Sequence, residues 1–193
     1  GNAMIRPILI AAALLLLPAC REDIAALPRP VALTEESTGH YCQMELLEHP
    51  GPKAQAHLAG LEHPLFFSQV RDVVAYQRMP EQSLPMLAIW VNDMGAPGAT
   101  WEVPGDGNWI AAETAFYVLG SAREGGMGAP ETVPFSTRAA AEAFARSEGG
   151  DVLTLAEIPE KAVLAPVEMS PQVIDGDDGG DDFADRLRAI HEP

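Results

Sequence analysis

Three residues able to hold a soft metal stand at alternate positions in His40-Tyr41-Cys42-Gln43-Met44. In an extended segment His40, Cys42 and Met44 project from one face, roughly 6.5 Å apart per step. Thiolate and thioether sulfur together select Cu(I) over harder ions. Two or three such ligands suffice for Cu(I), whereas zinc normally takes four, with His or Cys dominant. The same residues also fit a plainer arrangement, with Met44 in a core and His40 on the surface. A further sulfur lies in Gly125-Gly126-Met127-Gly128. A large apolar side chain among three glycines has little that is rigid to pack against, and glycine permits unusual dihedrals and close backbone approach. Such a loop could swing the Met127 thioether towards a second site, or be a mobile turn in which Met127 is incidental. Met94, in Asn92-Asp93-Met94-Gly95, is a weaker candidate of the same kind.

The histidines are scattered as His40, His49, His57, His63 and His191. No His-x-x-x-His pair exists, so a zinc-protease type of site has no support. His63, ahead of Pro64-Leu65-Phe66-Phe67, reads either as a third ligand or as a capped surface residue. Cys42 could instead be the nucleophile of a thiol enzyme, which requires a nearby base to lower its pKa, and His40 is the local candidate. The run from Asp175 is not an EF-hand: Asp177 and Gly180 fall where one wants them, but Gly179 and Arg186 occupy ligand positions. Phosphate-cradling glycine loops and serine-nucleophile motifs are missing.

The chain holds only two cysteines in 193 residues, too few for a disulfide scaffold. Met4-Ile5-Arg6 and the apolar run Pro7 to Leu17 have the form of a secretory signal, and the run is too short to span a bilayer. Leu17-Pro18-Ala19-Cys20 resembles a bacterial lipobox, in which the cysteine is lipidated and becomes the first mature residue. Residues 1–19 are therefore expected to be a signal peptide, with Gly1-Asn2-Ala3 a cloning remnant, and Cys20 a lipid anchor. Stable anchoring takes two or more chains. That leaves Cys42 as a lone thiol in an oxidising compartment, where it should pair between molecules, react or bind a metal. With 12 Lys+Arg against 28 Asp+Glu and a net charge of -16, nucleic acid and anionic membrane surfaces are poor partners. At 47 % hydrophobic residues, the chain can bury a real core.

The elements that must position these residues follow from patterning. Residues 20–39, with Pro28, Pro30, Glu35 and Glu36, read as a lipidated tether. Residues 167–193, dominated by Asp and Gly, read as a disordered acidic tail. Between them Phe67-Ser68 and Phe135-Ser136 begin two similar stretches, each Ser a candidate N-cap. Val70, Val73, Val74 and Ala139, Ala140, Ala143, Phe144 then follow helical spacing. Strands are expected at Tyr41–Met44, Ala54–Leu58 and Met86–Val91 in the first copy. In the second they are expected at Trp109–Ala112, Ala115–Gly120 and Val152–Ile158. The fold class is α+β: two homologous ββαβ units packed together, at 40–95 and 96–166.

Taken in order, His40-Tyr41-Cys42-Gln43-Met44, His49-Pro50-Gly51-Pro52, Phe66-Phe67-Ser68 with Val70-Arg71-Asp72, Val91-Asn92-Asp93, and Gly126-Met127-Gly128 with Val133-Pro134-Phe135 resemble the NosL family. These are accessory lipoproteins of nitrous oxide reductase assembly. The resemblance covers roughly residues 40–158, and the lipobox agrees with it. It implies a non-enzymatic Cu(I) metallochaperone of the periplasm, monomeric and membrane-anchored through Cys20. It also implies delivery of copper through an ABC-type maturation complex to nitrous oxide reductase. The sulfur-rich site it implies consists of Cys42 and Met127, then Met44, with His40 or His63 as the imidazole. The acidic tail lies outside the resemblance. The other classes to weigh are the thiol enzyme and a metal-free interaction lipoprotein whose acidic surface docks a basic partner.

Overall fold

The computed structural model describes residues 27–166; the signal, Cys20 and the acidic tail 167–193 lie outside the described residues. Within them the chain forms two antiparallel sheets, each carrying one helix. In the first sheet β1 (Ala54–Leu58) is central, with β2 (Leu65–Phe67) on one side and β3 (Met86–Asn92) on the other, both antiparallel to it. β2 and β3 therefore run the same way, and α1 (Val70–Arg78) makes the crossover between them. The second sheet repeats this with β5 (Phe116–Glu124) central, β6 (Pro130–Phe135) and β7 (Asp151–Thr154) flanking, and α2 (Arg138–Glu148) crossing over. Each unit is thus ββαβ with its first strand in the middle. The Phe-Ser pairs mark the same joint in both, where the second strand passes into the helix. β4 (Trp109–Ala111) pairs with β3 and so extends the first sheet. A short α3 (Glu160–Leu164) closes the described chain against α1, where Arg71 Nη2 donates to the Ala165 carbonyl (2.8 Å) and Val163 enters the core.

The main core is made by β1, β2, α1 and β3. Ala54, Ala56, Leu58, Phe67, Val70, Val73, Val74 and Val91 are buried there, joined by Tyr117 and Ile158 from the second half of the chain. A smaller core, Val118, Val133, Phe135 and Ala141, lies under α2.

Several expectations are corrected in detail. Tyr41–Met44 is a turn, not a strand; the first unit takes Leu65–Phe67 as its second strand instead. Trp109–Ala112 contributes its strand to the other sheet, and Pro130–Phe135 replaces it. Pro130 and Pro134 disguise that strand, but β6 lies at a sheet edge, where a missing backbone N–H costs little. Val152–Ile158 is a strand only to Thr154; Leu155–Glu157 turn into a 3-10 helix closed by a Thr154–Glu157 capping box. Neither Ser68 nor Ser136 is an N-cap. Gln69 and Thr137 occupy those positions, and only Thr137 caps with its own side chain, accepting from the Ala140 N–H (3.2 Å).

The segment read as a free tether is in part a strap. Val31 exchanges two hydrogen bonds with the Gln55 side chain (2.9 and 2.8 Å), and Trp90 Nε1 donates to the Pro28 carbonyl (3.0 Å). Leu33 and Ser37 are buried. Central strand β1 is thereby covered on both faces, which is why polar Gln55 is buried in it.

Candidate metal centre

Cys42 sits in a closed loop. Thr38 and Glu45 form an antiparallel bridge, and within it the Gly39 N–H donates to the Met44 carbonyl (3.0 Å) and the Gln43 N–H to the Gly39 carbonyl (2.8 Å). Gln43 takes the left-handed conformation, φ +56°, held by its side-chain amide on the His40 carbonyl (2.7 Å). The turn is fastened to β2 by the His40 N–H on the Phe66 carbonyl (2.7 Å). Because the segment turns, His40, Cys42 and Met44 do not share the one face of an extended strand. Gly39 is required here: the Cys42 Sγ occupies the space a side chain would need. Cys42 is a free, half-buried thiol.

The Met127 loop is the tip of the β5–β6 hairpin. It closes on itself through the Gly125 N–H to the Ala129 carbonyl (2.8 Å) and the Gly128 N–H to the Gly125 carbonyl (2.9 Å). The Met127 and Ala129 N–H groups also donate to Gln69 Oε1 (3.1 and 3.4 Å). Two of the glycines serve close approach. A Cβ on Gly125 would stand 2.5 Å from Glu131 Oε2 and 2.6 Å from Gln69 Oε1, and one on Gly126 would stand 2.7 Å from the His49 Cβ. Gly128, at φ +73°, makes the turn. The Met127 side chain is left 43 % exposed at the tip.

Behind both loops lies a buried polar cluster absent from the sequence-based expectations. Lys53, only 1 % exposed, donates from Nζ to the carbonyls of Pro50 (3.1 Å) and Gly51. Burial lowers its pKa to about 8, while the negative charges of Glu131 and then Cys42 pull it back up. Glu131, also 1 % exposed, accepts from the backbone N–H groups of Arg71 (3.0 Å), Val70 (3.3 Å) and Thr132 (2.7 Å). Burial pushes Glu131 up to about 8, against the pull of those three donors. Gln69 completes the cluster, donating from Nε2 to Asp72 Oδ2 (3.1 Å). Burial raises Asp72, and the Gln69 amide opposes that rise. The signal available in the sequence was an acid, Glu131, beside the apolar Val133-Pro134-Phe135.

The arrangement therefore links the two sulfur loops through one cluster. Lys53 feels the Cys42 charge and holds the Pro50 carbonyl, Pro50 and His49 back the Met127 loop, and Gln69 holds that loop's backbone. Met44 stands on the Cys42 loop, 44 % exposed. The His40 ring packs among Tyr41, Phe67 and Tyr76, with centroids 5.1 to 5.7 Å away. His40 and His63 line one open cleft of about 520 Å³ beside the strap, which the sulfur residues do not line. Met94 packs on the smaller core. His49, which the sequence did not single out, lies against Gly126 beside Met127. Among the described residues no group of three His, Cys, Asp or Glu could hold a metal ion.

Comparison with known proteins places the chain in a family. The family model described as NosL matches residues 30–163. The copper-binding lipoprotein NosL of Achromobacter cycloclastes is 60 % identical over 189 residues, 98 % of this chain and 96 % of that protein. That of Stutzerimonas stutzeri is 33 % identical over 150 residues, 77 % of this chain and 76 % of that protein. The crystal structure of the copper chaperone NosL from Shewanella denitrificans superposes with a TM-score of 0.62 at 30 % identity, over 68 % of this chain and 96 % of that one. None of the three is named as an enzyme. From the two ββαβ units, the order of the motifs and these matches, the chain belongs to the NosL family.

Proposed function

We propose that this protein is a periplasmic, lipid-anchored Cu(I) metallochaperone that supplies copper for the assembly of nitrous oxide reductase. The observation that carries the reading is Cys42: a free, half-buried thiol on a turn closed by its own backbone hydrogen bonds. In support, two relatives are named copper-binding lipoproteins and a structural relative a copper chaperone. Cys42 supplies the thiolate and Met127 a thioether from the other unit. Met44 is the next available sulfur, with His40 or His63 as the imidazole. Soft, uncrowded sulfur ligation suits Cu(I) as cargo, since an open position lets a receiving ligand attack before the metal leaves. Lipid on Cys20 holds the protein at the membrane, where an ABC-type maturation complex receives the metal.

Titration of Cu(I) into the full chain against a competing chelator tests this. Cys42→Ser should weaken binding by more than about 100-fold, beyond the usual cost of losing an outer-shell partner. Unchanged affinity would remove Cys42 from the site. A thiol-enzyme reading has little to stand on, because the relatives are named copper-binding lipoproteins and a copper chaperone.

A further inference from the structure

We propose that Gln69 is the positioning residue that presents Met127 to the metal, through a reciprocal clasp between the two units. The inference rests on the copper reading above.

Gln69 is the N-cap residue of α1, yet its side chain makes no cap within its own helix. It reaches out to the other unit, where its Oε1 accepts from the Met127 and Ala129 N–H groups (3.1 and 3.4 Å). The other unit reciprocates. Glu131, two residues beyond Ala129, accepts from the first N–H groups of α1, those of Val70 and Arg71 (3.3 and 3.0 Å). A local capping box satisfies two sets of orphan donors by exchange within one helix turn. Here the same exchange joins residues about 60 positions apart in the chain.

Three observations separate this from ordinary packing. Gln69 is buried, 2 % exposed, although the loop it holds is at the surface. Its amide has one orientation that satisfies every neighbour: the oxygen towards two N–H donors and the nitrogen towards the Asp72 carboxylate (3.1 Å). Gly125 is the residue the clasp needs, because a Cβ there would strike both Glu131 Oε2 and Gln69 Oε1. Glycine-rich loops are entropically costly to order, and a thioether is a weak donor that gains from being held in place. The clasp fixes the Met127 backbone while leaving its side chain exposed and free to choose rotamers. Metal exchange can then proceed without unfolding the loop.

The test compares wild type, Gln69→Leu, Gly125→Ala, Met127→Leu and Cys42→Ser as full chains loaded with Cu(I). Affinity is read by chelator competition and the sulfur neighbours by X-ray absorption. Gln69→Leu should weaken Cu(I) binding by about 10- to 100-fold, the range for an outer-shell partner, and remove one sulfur neighbour, as Met127→Leu does. Gly125→Ala, which attacks the clasp from the loop side, should reproduce both changes. The double variant Gln69→Leu with Met127→Leu should bind no more weakly than Met127→Leu alone, since the two act as one unit. An unchanged sulfur count in both Gln69→Leu and Gly125→Ala, or additive losses in the double variant, overturns the clasp. Absence of Cu(I) binding by wild type, or unchanged binding by Cys42→Ser, overturns the copper reading instead. Should the variants fail to fold, amide exchange in wild type decides: the Met127 N–H must be protected like a buried hydrogen bond, and free exchange there refutes the proposal.

Discussion

α1 and α2 each follow a Phe-Ser pair at the end of the second strand of their unit, yet they complete their first turns differently. α2 uses its own Thr137 and is built of Ala139, Ala140, Ala141 and Ala143, strong helix formers. It buries only Ala141 fully. α1 has Val70, Val73 and Val74, poor helix formers because branching at Cβ restricts χ1. It buries all three and borrows a carboxylate from β6 to receive its first N–H groups. The second helix is locally self-sufficient; the first is a tertiary product. The Met127 loop is held by the dependent helix through Gln69, whereas the Cys42 turn is fastened to β2 within the first unit.

Variants can break or sharpen that contrast. The largest stability effect is expected from Phe67→Ala in the main core, about 3–5 kcal/mol, because Phe67 is 1 % exposed. Phe144→Ala under α2 should cost clearly less, since that ring is only partly buried; equal losses in urea unfolding would erase the distinction between the cores. Next comes Glu131→Ala, which strands backbone donors of α1 away from water and should cost about 3 kcal/mol. Its signature is faster amide exchange in Val70–Arg78 with little change in Arg138–Glu148. Thr137→Ala is the matching change in α2, expected at about 1 kcal/mol and confined to that helix.

The Lys53 side chain adds a pH test. Its folded pKa, about 8, lies below its unfolded value. Folding therefore favours the neutral amine, and its contribution to stability is lost as pH falls through about 8 and recovered towards 10.5. Between pH 8 and 10 stability should rise by up to ~1.4 kcal/mol per pH unit from this group. Lys53→Met should flatten that rise, measured by urea midpoints. The smallest effect should come from the Arg123–Glu148 ion pair at 3.0 Å, with side chains 40 % and 25 % exposed. Glu148→Ala should change stability by less than about 1 kcal/mol, as partly solvated pairs do. A larger loss would mean that α2 leans on its neighbours more than its sequence suggests.

Local information accounts for most of the correct fold assignment. Helical spacing in Val70-Val73-Val74 and Ala140-Ala143-Phe144 is visible because it repeats every turn. The doubled Phe-Ser joint revealed two ββαβ units because homologous joints keep their residues. β2 was overlooked because three residues, Leu65-Phe66-Phe67, carry too little alternation to read, and β6 because Pro130 and Pro134 imitate a loop. Cys42 was misplaced on a strand because alternation of candidate ligands says nothing of whether the backbone turns, and a left-handed Gln43 has no strong local signature.

By itself the sequence determined the chemistry available: two cysteines, seven methionines, five scattered histidines with no His-x-x-x-His pair, and two repeated units to carry them. The tertiary structure decided what surrounds that chemistry. Gln69 and Glu131 are ordinary polar residues in the chain and become buried partners only when β6 meets α1. The reason is physical. Periodicity reports contacts among neighbours in sequence, whereas the cost of burying a polar group is offset by partners about 60 residues away, and those partners exist only once the two units have packed.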